Sequence, residues 1–196
     1  MPIADNRMIL EAIVTTELPD GSMHVAPMGP EVDDTLNHWK LKPFKSSTTF
    51  SNLQRTNRCV VHVVDDAVLL AEAVLGKANH YAAQHIDDCG FALDSACHWY
   101  ALEVDEWNTA QPRAIAHCRL TKMHSIRPFF GWNRAKHAIV EMAILASRVH
   151  ILERSVLDFE VDRYRIVIEK TAGQRERKAF EMLENFIRHS KGRTSD

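Results

Sequence analysis

A chain of 196 residues with 45% hydrophobic and 26% charged residues falls in the ordinary globular range, long enough for one core or one core with an added helical layer. Its formal charge of −2 supplies no general positive field for holding a polyanion, which argues against nucleic acid as a partner. Cys59, Cys89, Cys97 and Cys118 form no C-x-x-C pair, the start lacks the apolar core of a signal peptide, and no apolar run reaches the roughly 18 to 20 residues of a membrane span. These features point to a cytoplasmic protein with reduced thiols and no membrane segment.

Residues 8–16 are rich in β-branched side chains and predict a strand, with turn chemistry at Pro19-Asp20-Gly21-Ser22 and a returning strand at 23–26. Pro27 and Pro30 cannot donate ladder hydrogen bonds, so this segment leaves the sheet or lies at its edge. A short strand follows at 39–41. Ser46, Ser47, Thr48 and Thr49 offer hydroxyl caps to a helix of two turns at most over 50–55.

Residues 59–64 read as a buried strand, and Asp65 and Asp66 cap a helix that runs to Leu75 and closes at Gly76. The polar, His-rich stretch 77–96 reads as an ordered loop with a helical piece near 81–85. Alternation over 100–105 and 114–121 predicts two half-buried strands joined near 108–112. The period then changes: Ala135, Ile139, Met142, Ala146 and Val149 share a helical face to about Leu152, and two more helical patterns precede a disordered tail at 191–196. Strands followed by helices imply an α+β chain, mainly β in its core, with a C-terminal helical layer.

The segment 42–53 combines hydroxyls, free amides at a helix start and nearby lysines, which is how a phosphate is held: an anion there gains hydrogen bonds and the field of the helix dipole together. The alternative is that Ser47 or Thr48 only caps the helix. Asn133 is likewise a good N-cap, while Arg134 beside it suits a phosphate or carboxylate. Glu141 and Arg148 on an apolar helix suggest a structural ion pair. Eleven histidines invite a metal reading, but His80, His85, Asp87, Asp88 and Cys89 lack zinc-ligand spacing, and no nucleophile elbow frames a hydrolytic triad.

The runs Glu11 to Thr16, His24 to Gly29, Pro43 to Leu53, residues 59–66, Gly131-Trp-Asn-Arg-Ala135 and the helix 139–148 occur in an order that resembles the DUF447 family of FMN-binding split-barrel proteins. The resemblance covers most of residues 8–150. It implies a Greek-key split β-barrel at 1–130, a helical region at 131–190 packed on it, and a homodimer with FMN near the interface.

The resemblance further implies a phosphate grip at Ser47, Thr49 and Asn52. Thr48 stands where the pattern often has Arg, so Lys45, Arg55 or Arg58 would supply the charge. Backbone around Ala26, Pro27, Met28 and Gly29 would meet the flavin ring. His24 and His62 replace asparagines of the pattern, and for His62 a flavin contact and a satisfied sheet histidine are both open. Asn133 and Arg134 complete the candidate cofactor residues. The implied function is a flavin-dependent oxidoreductase or flavin reductase-like protein. A dimeric, non-catalytic module for another phosphorylated ligand or a protein partner is the alternative.

Overall fold

The computed structural model describes residues 8–110 and 113–190; the expected tail at 191–196 and part of the expected turn at 108–112 lie outside them. Two compact units emerge, one drawn from residues up to 64 together with 79–129, the other from 65–78 together with 130 onward.

The first unit is an eight-stranded antiparallel sheet curled into a half-barrel. Its strands are β1 (Met8–Ile9), β2 (Ala12–Glu17), β3 (Met23–Met28), β4 (Glu31–Val32), β5 (His38–Leu41), β6 (Arg58–Val63), β9 (His98–Asn108) and β10 (Ile115–Ser125), in the order β1-β4-β5-β10-β9-β6-β2-β3. A separate hairpin, β7 (Ala83–Ile86) and β8 (Gly90–Leu93), and one helix, α1 (Thr48–Thr56), complete it.

Side chains alternate between two covered faces. Ala12, Val14, Trp39, Leu41, Cys59, Val61, Leu102, Ala116 and Cys118 line the inner face, which Leu53 of α1 plugs. Val60, Trp99 and Ala101 form the outer face, where Ala92 of β8 packs. Burial on both sides explains why Ala12, Ile13 and Val14 form an unbroken apolar run, and why Thr15 and Thr16, which continue it, are buried with their hydroxyls hydrogen-bonded.

The turn expected at 19–22 forms, with Gly21 at φ 82° and Asp20 Oδ1 accepting Ser22 N–H at 3.0 Å. Pro27 lies inside β3, at the edge of the sheet as its chemistry requires. Val25 N–H turns away from β2 to Asn79 Oδ1 at 2.9 Å. Alternate residues share a direction, so Pro27 also faces outward and costs the ladder no bond.

The stretch 77–96 differs from the sequence reading. A single 3-10 turn occupies Ala78–His80, and the helical piece expected at 81–85 is instead the start of the β7–β8 hairpin. Asp88 at φ 58° and Gly90 at φ 117° close its turn. Its strands are defined by the sheet beneath: Thr15 Oγ1 donates to Phe91 O at 2.5 Å, and Leu93 N–H donates to His62 Nε2 at 3.1 Å. Local periodicity carries no trace of such partners.

The second unit holds α2 (Ala67–Val74), α3 (Arg134–Ser147), α4 (Arg154–Thr171) and α5 (Gln174–His189). Asp66 caps α2 by accepting from Val68 N–H and Leu69 N–H. Residues 65–78 thus belong with the helices although barrel sequence flanks them in the chain, because Ala67, Val68 and Ala71 share a core with Ile139, Met142, Leu157, Phe180 and Leu183. Arg175 of α5 reinforces this by donating to Asp66 Oδ1 at 3.2 Å. Helix α3 ends at Ser147, short of the expected Leu152, and Arg148 is solvent-exposed. Among the described residues no ion pair joins Arg148 to Glu141, so the expected pairing does not form.

Candidate functional site

Pro43 precludes a helix at residue 42, and the chain turns at Phe44 to enter α1 with Ser47 in extended conformation. Ser47 Oγ accepts Phe50 N–H at 3.2 Å and donates to Phe44 O at 2.7 Å. Its hydroxyl is spent on capping. The N–H groups of Thr48 and Thr49 precede the first intrahelical acceptor and are left over. Ser51 N–H is the first to find a helical carbonyl, that of Ser47 at 3.2 Å.

No protein partner among the described residues takes the hydroxyls of Ser46, Thr48 or Thr49, although Thr49 is only 3% exposed. Two amides and three hydroxyls therefore stand uncommitted at the positive end of a helix dipole. Lys45 adds a cation; its Nζ is anchored to Thr109 O at 2.6 Å. Beyond α1, Trp107 sets its ring edge-on to Phe50 at 5.4 Å, and its indole Nε1–H is buried without a hydrogen bond.

Asn52 does not stand free beside these groups. It is 2% exposed and donates from Nδ2 to Thr16 Oγ1 at 3.0 Å, which pins α1 to β2. Arg55 and Arg58, the other expected cations, lie at or beyond the last turn of α1, about 10 Å or more along the helix axis from Thr48. Arg55 pairs with Glu17, and Arg58 with Asp88 at 3.6 Å. Arg58 lines a separate cleft of about 190 Å³ shared with Thr15, Thr56, His85 and Cys89.

Helix α1 packs against β2 and β3, and Thr16 lies opposite His24 in the ladder. Of the β3 backbone, Ala26 and Met28 point into the ladder with β2 and Pro27 has no N–H. Pro27 C=O and Gly29 N–H remain. Glycine is required at 29 by close approach, since a Cβ there would sit 2.9 Å from Ile9 Cγ2. Half-buried His24 is kept toward its neutral form by desolvation.

His62 is fully buried. Its Nε2 accepts Leu93 N–H at 3.1 Å, which places the proton on Nδ1 to donate to Ile13 O at 3.1 Å. Both ring nitrogens are used within the sheet and the hairpin, so the ring has none to offer a flavin. Desolvation drives its pKa down to about 4, against smaller opposing hydrogen bonds to Ile13 and Phe91. In the helical unit, Asn133 Oδ1 accepts Lys136 N–H at 3.0 Å and its Nδ2 donates to Thr171 O at 3.4 Å, the capping role. Arg134 is exposed at the first residue of α3.

The structure thus joins Lys45, Ser47, Thr48, Thr49 and Asn52 in one segment, with only some polar groups free. Sequence reasoning passed over Thr16, Trp107 and Thr109. A threonine ending an apolar strand and a tryptophan beside a turn were the available signals, and neither reveals its partner.

Family models described as the protein of unknown function (DUF447) N-terminal domain and protein of unknown function (DUF447) match residues 10–127 and 133–185. The chain belongs to the DUF447 family. Among solved structures, an FMN-bound DUF447 protein from Methanosarcina mazei has a TM-score of 0.78 at 19% identity, covering 91% of this chain and 94% of that one. An FMN-binding protein from Thermus thermophilus with bound 1-cyclohex-2-enone gives 0.52 at 12% identity, over 64% and 76%. The styrene monooxygenase flavin reductase from Pseudomonas putida S12 gives 0.50 at 13% identity, over 59% and 80%. At such identities the likeness is one of fold, and it establishes the half-barrel as a flavin reductase-like split barrel. Comparison with curated proteins gave no match.

Proposed function

We propose that this DUF447 protein binds FMN and acts as a flavin reductase-like oxidoreductase, with the cofactor phosphate at the start of α1. The observation that carries the reading is the set of uncommitted donors there: the Thr48 and Thr49 amides and the Ser46, Thr48 and Thr49 hydroxyls. They fit a phosphate, which accepts from several donors at once and gains from the helix dipole. The FMN-bound family member from Methanosarcina mazei supports the choice of ligand.

A bound flavin would supply the hydride or single-electron chemistry. The chain's own residues then bind and orient. Asn52 holds α1 at a fixed height on β2, Lys45 adds positive charge that the missing arginine does not, and the free Pro27 C=O and Gly29 N–H offer edge groups for a polar ring. We place the protein in the cytoplasm as a homodimer with FMN near the interface. Cysteines that form no disulfide support the compartment, and exposed Phe44, Met123, Ile126 and Phe129 on the barrel unit support a covered surface. No described helix is long and apolar enough to cross a membrane.

The second reading, a non-catalytic dimeric module for another phosphorylated ligand or a protein partner, is favoured by the full commitment of His62 to the sheet. The visible spectrum of freshly purified protein and an FMN fluorescence titration separate the two. Flavin bands or saturable quenching are expected; colourless protein with no quenching favours the module.

A further inference from the structure

Helix α4 buries Leu157, Val161 and Ile168 against its neighbours. Its opposite side mixes exposed polar residues, Asp162, Arg163, Glu169 and Lys170 among them, with an apolar stripe. Val156 is 43% exposed, Phe159 67% and Ile166 54%, and with exposed Arg163 they fall at intervals of three, four and three residues. That spacing is a coiled-coil seam, two positions per heptad.

We propose that this seam is self-complementary and docks a second copy of the chain, the two α4 helices running antiparallel about a two-fold axis. In antiparallel packing the first seam position of one heptad meets the fourth of the mate. Val156 then opposes the partner's Ile166, and Phe159 opposes the partner's Arg163, so the same four layers recur from both sides, as an isologous contact demands.

Charge selects the orientation. A parallel pair would stack Arg163 on the partner's Arg163, two cations in one layer. The antiparallel pair lays each guanidinium on the partner's Phe159 ring, a favourable cation–π contact. Arg163 is held in place by its own helix, its Nε donating to Glu160 Oε2 at 2.9 Å and its guanidinium lying over the Tyr164 ring at 4.7 Å, and with its side chain 55% exposed the contact with the partner's Phe159 is made on its solvent side. On the flank, Asp162 approaches its own copy, but each carries Arg188 at 2.9 Å, so the flanks meet as neutral pairs. Four layers are few beside a standard interface of roughly 1,600 Å², and the contact is accordingly concentration-dependent.

Register-specific cross-linking tests it in the full chain, in a Cys89→Ser background that removes the one partly exposed thiol among Cys59, Cys89, Cys97 and Cys118. Mild oxidation of Val156→Cys/Ile166→Cys is expected to give covalent dimer. Val156→Cys alone is expected to give almost none, because the two copies of residue 156 lie ten residues apart, about 15 Å along the axis. Equal cross-linking in both variants, or none in the double variant, overturns the seam. Light scattering supplies the second readout: the wild-type mass should rise with concentration, and Phe159→Glu/Ile166→Glu should abolish that rise while leaving any barrel-mediated dimer. A flat wild-type profile, or a rise the variant retains, overturns the proposal as well.

Discussion

Two polar clusters in the barrel unit look alike in composition and differ in what their atoms are doing. Around His62, the imidazole nitrogens, the Thr15 hydroxyl and the backbone of Phe91 and Leu93 are bonded to one another. At the start of α1, the Thr48 and Thr49 amides and the Ser46, Thr48 and Thr49 hydroxyls, of similar chemistry, have no partner among the described residues. The first cluster clasps a hairpin to a sheet; the second is equipped for a ligand. Polar residues near an expected site are thus weaker pointers than polar atoms left unspent.

The contrast is broken most severely at the clasp. His62→Ala should lower unfolding free energy by about 3–5 kcal/mol, combining a core cavity with an orphaned Leu93 N–H, as read by urea denaturation. FMN affinity of the folded fraction should change little. A mild variant with large loss of affinity would put His62 back in the site.

Acid tests the same residue. His62 titrates near 4 when folded and near 6.5 in its ordinary state, so only the unfolded chain takes up its proton as pH falls between those values. Its contribution is intact above pH 6.5 and about 3 kcal/mol is lost by pH 4. Denaturation across that range should show the slope, and His62→Gln should flatten it.

Within α1 the comparison is sharpened by a pair of variants. Thr49→Val should weaken FMN binding roughly 10- to 100-fold, the worth of a hydrogen bond to a charged group, with stability nearly unchanged. Asn52→Ala should do the reverse in emphasis, costing about 1–3 kcal/mol of stability through loss of the Thr16 pin. If Asn52→Ala leaves stability intact and abolishes binding, the division of roles is wrong. The smallest effect belongs to Asn133→Ala, about 1 kcal/mol of lost helix capping and unchanged FMN affinity.

What the sequence disclosed followed from local chemistry. Asp20 and Gly21 announced their turn, Ser47, Asp66 and Asn133 their caps, and Pro27 its sheet edge. What stayed hidden depended on distant partners. The β7–β8 hairpin has weak periodicity because Thr15 and His62, far away in the chain, fix its faces. Helix α2 reads as an insertion in the barrel, and only its alanine and valine contacts with α3 and α5 assign it to the helical unit. Within the grip, Thr49 and Asn52 stand on the same footing in the sequence; Thr16 decides that Asn52 is committed to the fold.

The central claim is that α1 recognises a phosphate. Fluorescence titration with FMN and with riboflavin, which lacks the phosphate, addresses it directly in wild type and in Thr49→Val. Wild type should prefer FMN by at least roughly tenfold, about 1.4 kcal/mol, and the variant should lose most of that preference while still binding riboflavin as wild type does. Equal preference in the two proteins would contradict it.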